Sequence, residues 1–565
     1  MRLAAAVSFA SVVFVVLALP FLNQPIDSWE WLHRCAAERI AASGVPSLDY
    51  PLDGTAVAQP SRSALLLIHP PSSAYLSALS LRLLGDDEWQ ARVPGLLAVV
   101  ITAALLAALV WRRAGCGPEA SRIAILVTAL YLLHPATLQG ALYLGFSEGT
   151  LLPLTWVLFL FVWLETLERS LAVRIALLGP CFAVALWAKI TTSLALPVAA
   201  ALVVLALRGP GVAVAMLVGV AGLGGALFLV SWSGYVAYLA RLVGTPAGAL
   251  WAEPFRYVAD EARVLSLAGL ALNALRATLY LGPLLLLGAA VAMVRRTRAY
   301  ARDRRASGED IITLLVACVF VVYLVLPGGT GGFPKYHFVI LPLLAWLAAE
   351  AFGRARAGRR LVPWPLVLAG VAYYVVLVGD PLKLLNHDLR LAQLSGDTTR
   401  VAARLALVAL LYALFPIASA ALLRQWRPAL ITATLASQLA LVAVQARGGY
   451  FTKHLYGTPV ADFARTVELV RASTPGGSEI VALPEFGYGS RRRIAQGLRR
   501  ADWSDPGELE AAIRRSRPSA VVYGVPTQTV SQMRDLTRDP ALRATLERSY
   551  VRREVGEFTV WLRAE

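Results

Sequence analysis

The chain has 565 residues, is 57% hydrophobic and only 16% charged, and carries a formal net charge of +17. That apolar content exceeds what a soluble domain of this length buries. Runs of about 18 or more apolar residues recur, each long enough to cross roughly 30 Å of hydrocarbon, which excludes a β-barrel with its short alternating segments. The positive charge does not point to nucleic acid, because its densest runs, Arg295 to Arg305 and Arg354 to Arg360, lie in short loops between apolar spans, where arginine orients a chain in the membrane.

The first span is predicted from about Leu3 to Leu22. Arg2 ahead of it resembles the start of a secretory signal, but the run is long and no small-x-small cleavage site precedes Asp27, so an uncleaved span is expected. The stretch 23–90 that follows is too polar to cross a bilayer. Pro25 and Asp27 read as a helix start, and Asp27 and Glu30, three apart, share one face of that helix. It can run to Ser43, where Gly44 and Pro46 stop it, and 47–63 reads as loop. Pro70-Pro71 restart a helix whose Leu76, Leu79, Leu83 and Leu84 form an apolar stripe ended by Gly85. Both helices are expected to lie on the membrane surface.

Further spans are predicted near 90–111, 121–135, 149–167, 171–188, 190–207, 211–231, 266–294, 310–326, 337–353, 362–379, 401–423 and 428–445, making about thirteen with the first. With the N-terminus cytoplasmic, Arg112-Arg113, Arg122, Arg169, Arg174, Arg208, the two dense clusters and Arg424 to Arg427 all fall inside, while the first loop and the C-terminus fall outside. Residues 1–446 therefore read as a polytopic α-helical membrane domain. The hydrophobicity then stops, and 447–565 reads as a small soluble α/β domain, with strands at 478–483, 520–524 and 558–562 and helices near 458–472, 507–516 and 527–547. It has no glycine-rich phosphate loop and no nucleophile elbow. Its Arg491-Arg492-Arg493 and Arg499-Arg500 read either as a solvated basic face or as a contact for an anionic acceptor or lipid headgroups.

The four cysteines, Cys35, Cys116, Cys181 and Cys318, show no metal-ligand or disulfide spacing and read as buried thiols. In this topology one membrane face gathers Asp27, Glu30, Asp86, Asp87, Glu88, Arg92, Glu148, Lys189 and Lys335. A lipid-linked donor leaves its phosphate at that level with its tail in the bilayer. Lysine, arginine or histidine can hold the phosphate, and a carboxylate can take a proton from an attacking hydroxyl or amine. Each residue also has a plainer reading: Asp27 and Glu148 as helix caps, Lys189 as a snorkelling lysine in the link Ala188-Lys189-Ile190-Thr191, and His69 as a packed or hydrogen-bonded histidine. His33, His134, His337, His387 and His454 show no metal-binding spacing.

The order of these features resembles the polyprenyl-phosphate-dependent glycosyltransferases of the GT-C class, in particular the bacterial aminoarabinose transferases and protein O-mannosyltransferase-like proteins. The resemblance rests on Asp27 after the first span, His69-Pro70-Pro71 before a surface helix, and Gly85-Asp86-Asp87-Glu88-Trp89-Gln90-Ala91-Arg92-Val93-Pro94 running into the second span. It continues with His134-Pro135 followed by Glu148, with Ala188-Lys189, and with Lys335-Tyr336 before Leu341-Pro342. Three positions depart from the family pattern: Ser28 stands where many relatives have an adjacent glutamate, Glu148 where aspartate is common, and His69 where a lysine often precedes Pro-Pro. The resemblance implies Asp27 as general base, Glu148 in placing acceptor or donor, and Lys189, Lys335, His69 and Arg92 around the donor phosphate, with Glu30 and Tyr336 nearby. It implies inverting transfer of a sugar from a polyprenyl phosphate carrier to a glycan, lipid or protein outside the cytoplasm, in a bacterial inner membrane. No cofactor is legible, although a divalent cation near Asp27 and the phosphate is compatible with it. The alternatives are a transporter or lipid flippase, expected to show mid-membrane charges and inverted repeats that are not evident here, and a scaffold that keeps the fold without the chemistry.

Overall fold

α1 (Arg2–Ala18) is apolar along its length and ends in a short 3-10 turn at Leu19–Phe21. The computed structural model describes residues 2–26, 30–54, 64–145, 147–255, 277, 281–303, 306–325, 334–353, 427–445, 460–495, 506–524, 539–556 and 558–564. Asp27, Arg499-Arg500, the predicted spans at 362–379 and 401–423, and most of the first half of the span at 266–294 lie outside these residues.

The two helices expected in the first loop are α2 (Glu30–Ser43) and α3 (Ser72–Leu84). α2 packs Trp31, Cys35, Ala36 and Ile40 against Ala74, Ala78 and Leu81 of α3. It stops at Gly44, whose φ of +78° suits glycine and where a Cβ would meet the Tyr238 hydroxyl at 2.9 Å. Leu76, Leu79, Leu83 and Leu84 of α3 turn outward, with Leu83 72% exposed. Immersion of such a stripe in the acyl boundary contributes about 1.5–3 kcal/mol for each leucine fully covered.

The bundle continues with α4 (Glu88–Arg113), α5 (Pro118–Leu132), α6 (Pro135–Leu142), α7 (Leu151–Glu165), α8 (Leu171–Ala188), α9 (Ile190–Ser193), α10 (Ala195–Arg208), α11 (Pro210–Val243) and α12 (Ala247–Trp251). After residues outside the description come α13 (Pro283–Asp303), α14 (Asp310–Val325), α15 (Leu341–Gly353) and α16 (Arg427–Gln445). One apolar core runs through them, with Trp156, Leu160, Val204, Trp232 and Leu344 in its interior. Among the described residues, six helices are long and apolar enough to cross a membrane, or seven if α5 and α6, bent by 59°, form one span.

Two helices of the bundle differ from the sequence reading in ways that bear on the site. The predicted span 121–135 ends at Leu132, and a separate helix, α6, starts at Pro135 with His134 as its N-cap. Proline suits the first helical position, and the His134 ring accepts the Ala136 amide at 3.1 Å. The predicted span 211–231 is really the 34-residue α11, about 51 Å long at 1.5 Å per residue, which stops only at left-handed Gly244. Its extra turns carry Tyr235 against Tyr75 of α3, ring centroids 5.9 Å apart and edge-to-face.

Arg92 joins three segments. Its Nε donates to the Leu142 carbonyl at 2.8 Å, Nη1 to those of Leu22 and Gln24 at 2.6 and 2.7 Å, and Nη2 to Glu30 at 3.2 Å. Glu30 also accepts the Leu144 amide at 3.0 Å. The buried guanidinium thus ties the ends of α1 and α6 to the first turn of α2. At the other end of the bundle Arg112 meets Glu165 at 2.6 Å, Arg113 meets Glu309 at 3.1 Å, and Arg296 meets Glu350 at 2.6 Å.

Residues 460–564 supply a second core. α17 (Val460–Ser473), α18 (Pro484–Ser490), α19 (Pro506–Ser516) and α20 (Pro540–Ser549) accompany β1 (Glu479–Val481), β2 (Arg493–Ile494), β3 (Ala520–Gly524), β4 (Tyr550–Val555) and β5 (Phe558–Arg563). The sheet order is β2-β1-β3-β5-β4, parallel among β2, β1 and β3 and antiparallel from β3 to β4. Ile480, Val481, Val521, Val560 and Trp561 fill its centre. β2, β4 and α18 have no counterpart in the sequence reading. The reading of Arg491 to Arg493 as a solvated face or an anion contact is corrected for its first two members. Arg492 is buried and donates to Asp53 of the first loop at 2.9 Å, and Arg491 pairs with Glu38 of α2 at 3.1 Å.

Arg492, with Arg471, holds the Asp53 carboxyl below the usual carboxylate range. A depressed acid contributes stability above its unfolded value of about 4 and loses it as pH falls through the lower folded value. Asp53→Asn is therefore expected to speed hydrogen exchange across 47–54 at neutral pH by no more than about fivefold, because solvent screens a carboxylate this exposed and limits the loss to at most ~1 kcal/mol. The wild type should show the same change, corrected for intrinsic rate, only on acidification below about pH 4.

Candidate active site

The site is built where helices break. α8 ends at Ala188, Lys189 is extended (φ −166°, ψ 123°), and α9 restarts at Ile190. Ser193 stabilises the break, its hydroxyl lying 2.7 Å from the Ala185 carbonyl and 2.6 Å from that of Lys189. Lys189 does not snorkel. Its side chain is 2% exposed, its Nζ lies 2.5 Å from Glu148 Oε1, and it sits over the Tyr336 ring at 4.3 Å from the centroid. Two unit charges so enclosed interact far more strongly than in water, and each removes most of the other's desolvation penalty.

Glu148 sits in a 3-10 turn, Ser147–Gly149, between α6 and α7. α6 lies directly against this turn. A Cβ on Gly140 would come 2.8 Å from the Gly149 Cα, and one on Gly149 would come 2.6 Å from the Gly140 Cα. Backbone therefore meets backbone, and the depth of Glu148 is set without an intervening side chain. A second 3-10 turn, Pro334–Ile340, brings Lys335, Tyr336 and His337 to the same place. Lys335 Nζ is 5.4 Å from the Tyr336 ring centre, and Tyr336 stacks on Tyr323 at 4.9 Å. Tyr323 hydrogen-bonds Thr192 beside the break at Lys189.

His69 lies among these groups, with Lys189, Glu148, Lys335 and His33 as its titratable neighbours. Burial, reinforced by the two lysines, pushes the imidazole down to about 3, so it is neutral at physiological pH. Burial raises the Glu148 carboxyl, but Lys189 and Lys335 outweigh that effect and hold it ionised below the ordinary range. His69 thus offers a neutral hydrogen-bonding group, and the positive charge comes from Lys189 and Lys335.

The structure brings together Glu148, Lys189, Lys335, Tyr336 and His69. Glu30 and Arg92 instead form the buried joint described above. The five N–H groups of Arg92 are directed at three carbonyls and the Glu30 carboxylate, so it fastens the first loop rather than meeting a donor phosphate. Asp27 lies outside the described residues. One residue was missed, His33 of α2. It packs its ring on Gly145, whose φ of +80° and lack of a Cβ leave the space the imidazole fills. The available signal was its spacing, three residues beyond Glu30 and so on the same helix face.

Beside the cluster lies an apolar cavity of about 830 Å³ between α3, α7, α8 and α11, lined by Tyr75, Leu76, Leu79, Trp187, Ala188 and Tyr235, among others. Ala188 immediately precedes Lys189. Ser72 at the start of α3 donates to the Trp187 carbonyl at 2.6 Å, fixing one wall. An apolar trough next to two ammonium groups and a carboxylate is a setting for an amphiphile with an anionic head. No group of three or more metal-ligating side chains occurs among the described residues.

A family model described as dolichyl-phosphate-mannose-protein mannosyltransferase matches residues 68–235, which include His69, Glu148 and Lys189. No curated protein sequence matches the chain. Among solved structures the fold is similar to ArnT from Cupriavidus metallidurans bound to undecaprenyl phosphate, with 15% identity, a TM-score of 0.59 and 98% of this chain and 97% of that one covered. It is also similar to the archaeal oligosaccharyltransferase AglB from Archaeoglobus fulgidus, in complex with an inhibitory peptide and a dolichol-phosphate, with 13% identity, a TM-score of 0.50 and coverage of 100% and 74%. Both are GT-C glycosyltransferases, and the expected GT-C fold is the one observed.

Lys189→Met alone would leave Glu148 buried with only Lys335 to offset its charge. The expected loss is near the lower end of the ~3–5 kcal/mol typical of broken buried pairs, measured by thermal unfolding in detergent. Adding Glu148→Gln should recover more than half of it. Gly140→Ala should unseat the Glu148 turn and lower the unfolding temperature, whereas Gly115→Ala, where a Cβ meets nothing within 4 Å but φ is +87°, carries only backbone strain.

Proposed function

We propose that the chain is an integral membrane glycosyltransferase that moves a sugar from a polyprenyl phosphate carrier to an acceptor outside the cytoplasm. The observation that carries this reading is the Glu148–Lys189–Lys335–Tyr336 cluster beside the apolar cavity that begins at Ala188. The carrier's phosphate would rest on Lys189 and Lys335, with His69 as a neutral hydrogen-bond partner, and its first isoprene units would enter the trough between Trp187 and Tyr75. The undecaprenyl phosphate and dolichol-phosphate named for ArnT and AglB are ligands of this chemical form.

In the reaction the acceptor oxygen or nitrogen attacks the anomeric carbon from the face opposite the phosphate. Its proton passes to Asp27. The bond from the anomeric carbon to the phosphate oxygen breaks with its electron pair, the configuration inverts, and the charge growing on the phosphate is met by Lys189 and Lys335. Glu148 keeps Lys189 aimed and cationic. Asp27 enters through the sequence alone. A divalent cation, if used, would find a ligand in Asp27 together with the phosphate. The enzyme would act at the outer face of a bacterial inner membrane, with the N-terminus cytoplasmic and the 447–565 domain outside.

Asp27→Asn is expected to reduce turnover ~100- to 10,000-fold while leaving binding of undecaprenyl phosphate in place. Lys335→Ala should weaken that binding by roughly 10- to 100-fold, the value of a charge-assisted contact. Mass spectrometry of envelope glycolipids and glycoproteins with and without the protein would identify the product. An unchanged glycome, together with full function of Asp27→Asn, would leave a flippase or scaffold instead.

A further inference from the structure

α2 meets two different environments along its length. Its first turn carries Glu30, locked to Arg92, and His33, which lies in the candidate site; Asp27 precedes it in the chain. Its middle faces the C-terminal unit. There Tyr488 donates to Glu38 at 2.9 Å and packs on Trp31, with ring centroids 6.1 Å apart. Arg491 pairs with Glu38 at 3.1 Å and lies over the Tyr488 ring at 4.8 Å. The same helix side is held by Arg34, which reaches Asp86 at 2.9 Å and Glu88 at 3.4 Å at the start of α4.

The backbone of Arg491 makes this contact unusual. It caps the C-terminus of α18 in the left-handed region, with φ of +55°. Glycine is the relaxed residue at such a cap, and an arginine there is strained. The side chain's partners are Tyr488 of the same helix and Glu38 of α2, so a residue held in a costly backbone conformation makes the ion pair to the other unit.

We propose that Tyr488 and Arg491 are positioning residues. They fix α2 against the bundle and so set His33 relative to the lysines. This rests on the function proposed above. The C-terminal unit then contributes to turnover through α2, while the phosphate-binding cluster, built on α8 and the turns at 147–149 and 334–340, stands apart from it.

Arg491→Gly removes the side chain and relaxes the backbone, and Arg491→Lys keeps a cation for Glu38. Both are made in the full chain in nanodiscs. For Arg491→Gly the expected results are an unchanged or higher unfolding temperature, undecaprenyl phosphate affinity within about threefold of wild type, a kcat lower by about 10- to 100-fold, and faster hydrogen exchange at 30–36. Arg491→Lys should recover most of the kcat and the exchange protection. Tyr488→Phe, which loses only the bond to Glu38, should fall between them. Unchanged exchange at 30–36 in Arg491→Gly overturns the proposal whether or not transfer is seen. So does a joint fall of kcat, affinity and unfolding temperature, which would mark a general loss of structure. A wild type without transfer activity, but with exchange responding as described, would refute the proposed reaction and leave the coupling standing.

Discussion

A carboxylate and an ammonium group enclosed together, Glu148 and Lys189, with a second ammonium close by, are the arrangement on which the membrane part depends. Neither charge is tolerable there alone, because desolvation of a lone ion exceeds what the surrounding apolar side chains return. The interruptions of regular structure converge on this pair. α8 breaks at Lys189 so that the side chain turns inward, α5 gives way to α6 so that the 147–149 turn can be reached, and a 3-10 segment brings Lys335 and Tyr336. The breaks at Lys189 and His134 expose backbone groups that a straight helix would satisfy, and each is closed locally, by the Ser193 hydroxyl and the His134 ring.

The two ends of the bundle treat arginine and lysine differently. At the end marked by Arg112, Arg113 and Arg296 the guanidinium groups meet glutamates on neighbouring helices, Glu165, Glu309 and Glu350, and several of these pairs are partly open to solvent. They join helices that the apolar core already packs, and exposed pairs of this kind contribute little. At the other end Arg92 is wholly buried and holds three chain segments, while the lysines gather around one carboxylate. Fixed hydrogen-bond geometry suits the guanidinium to the structural joint, and a point charge on a flexible stem suits the ammonium to a ligand whose position changes.

Much of this was legible in the sequence. Helix starts and stops at Pro70-Pro71, Gly85 and Gly44 lie where those residues dictate, because they alter local backbone freedom whatever the tertiary context. The site residues from separate spans, Glu148, Lys189 and Lys335, were legible as one face because span boundaries and arginine placement order them. What could not be read depends on packing. α6 is eight residues long and buried throughout, so it carries no amphipathic period and merges with the span before it. The last turns of α11 look like the start of a loop, since nothing local shows that Tyr235 will find Tyr75. Arg92 and Arg491 look like surface cations until their partners, 62 and 453 residues away, are in place. His33 shares a helix face with Glu30, but a lone histidine at that spacing reads equally well as a packed side chain.

α3 carries Leu76, Leu79, Leu83 and Leu84 outward while Ser72 at its start is bonded to the Trp187 carbonyl, one residue from Ala188. A stripe of leucine on a helix so fastened acts as a float. Its waterline is set by the lipids and its keel by the site, so the trough keeps a constant draught. In a thinner leaflet the float rides with the headgroups and the bundle below must tilt or pinch the bilayer to follow, at a fraction of a kcal/mol per Å. The lipid environment thereby sets the height at which a long-tailed molecule could slide sideways into the trough.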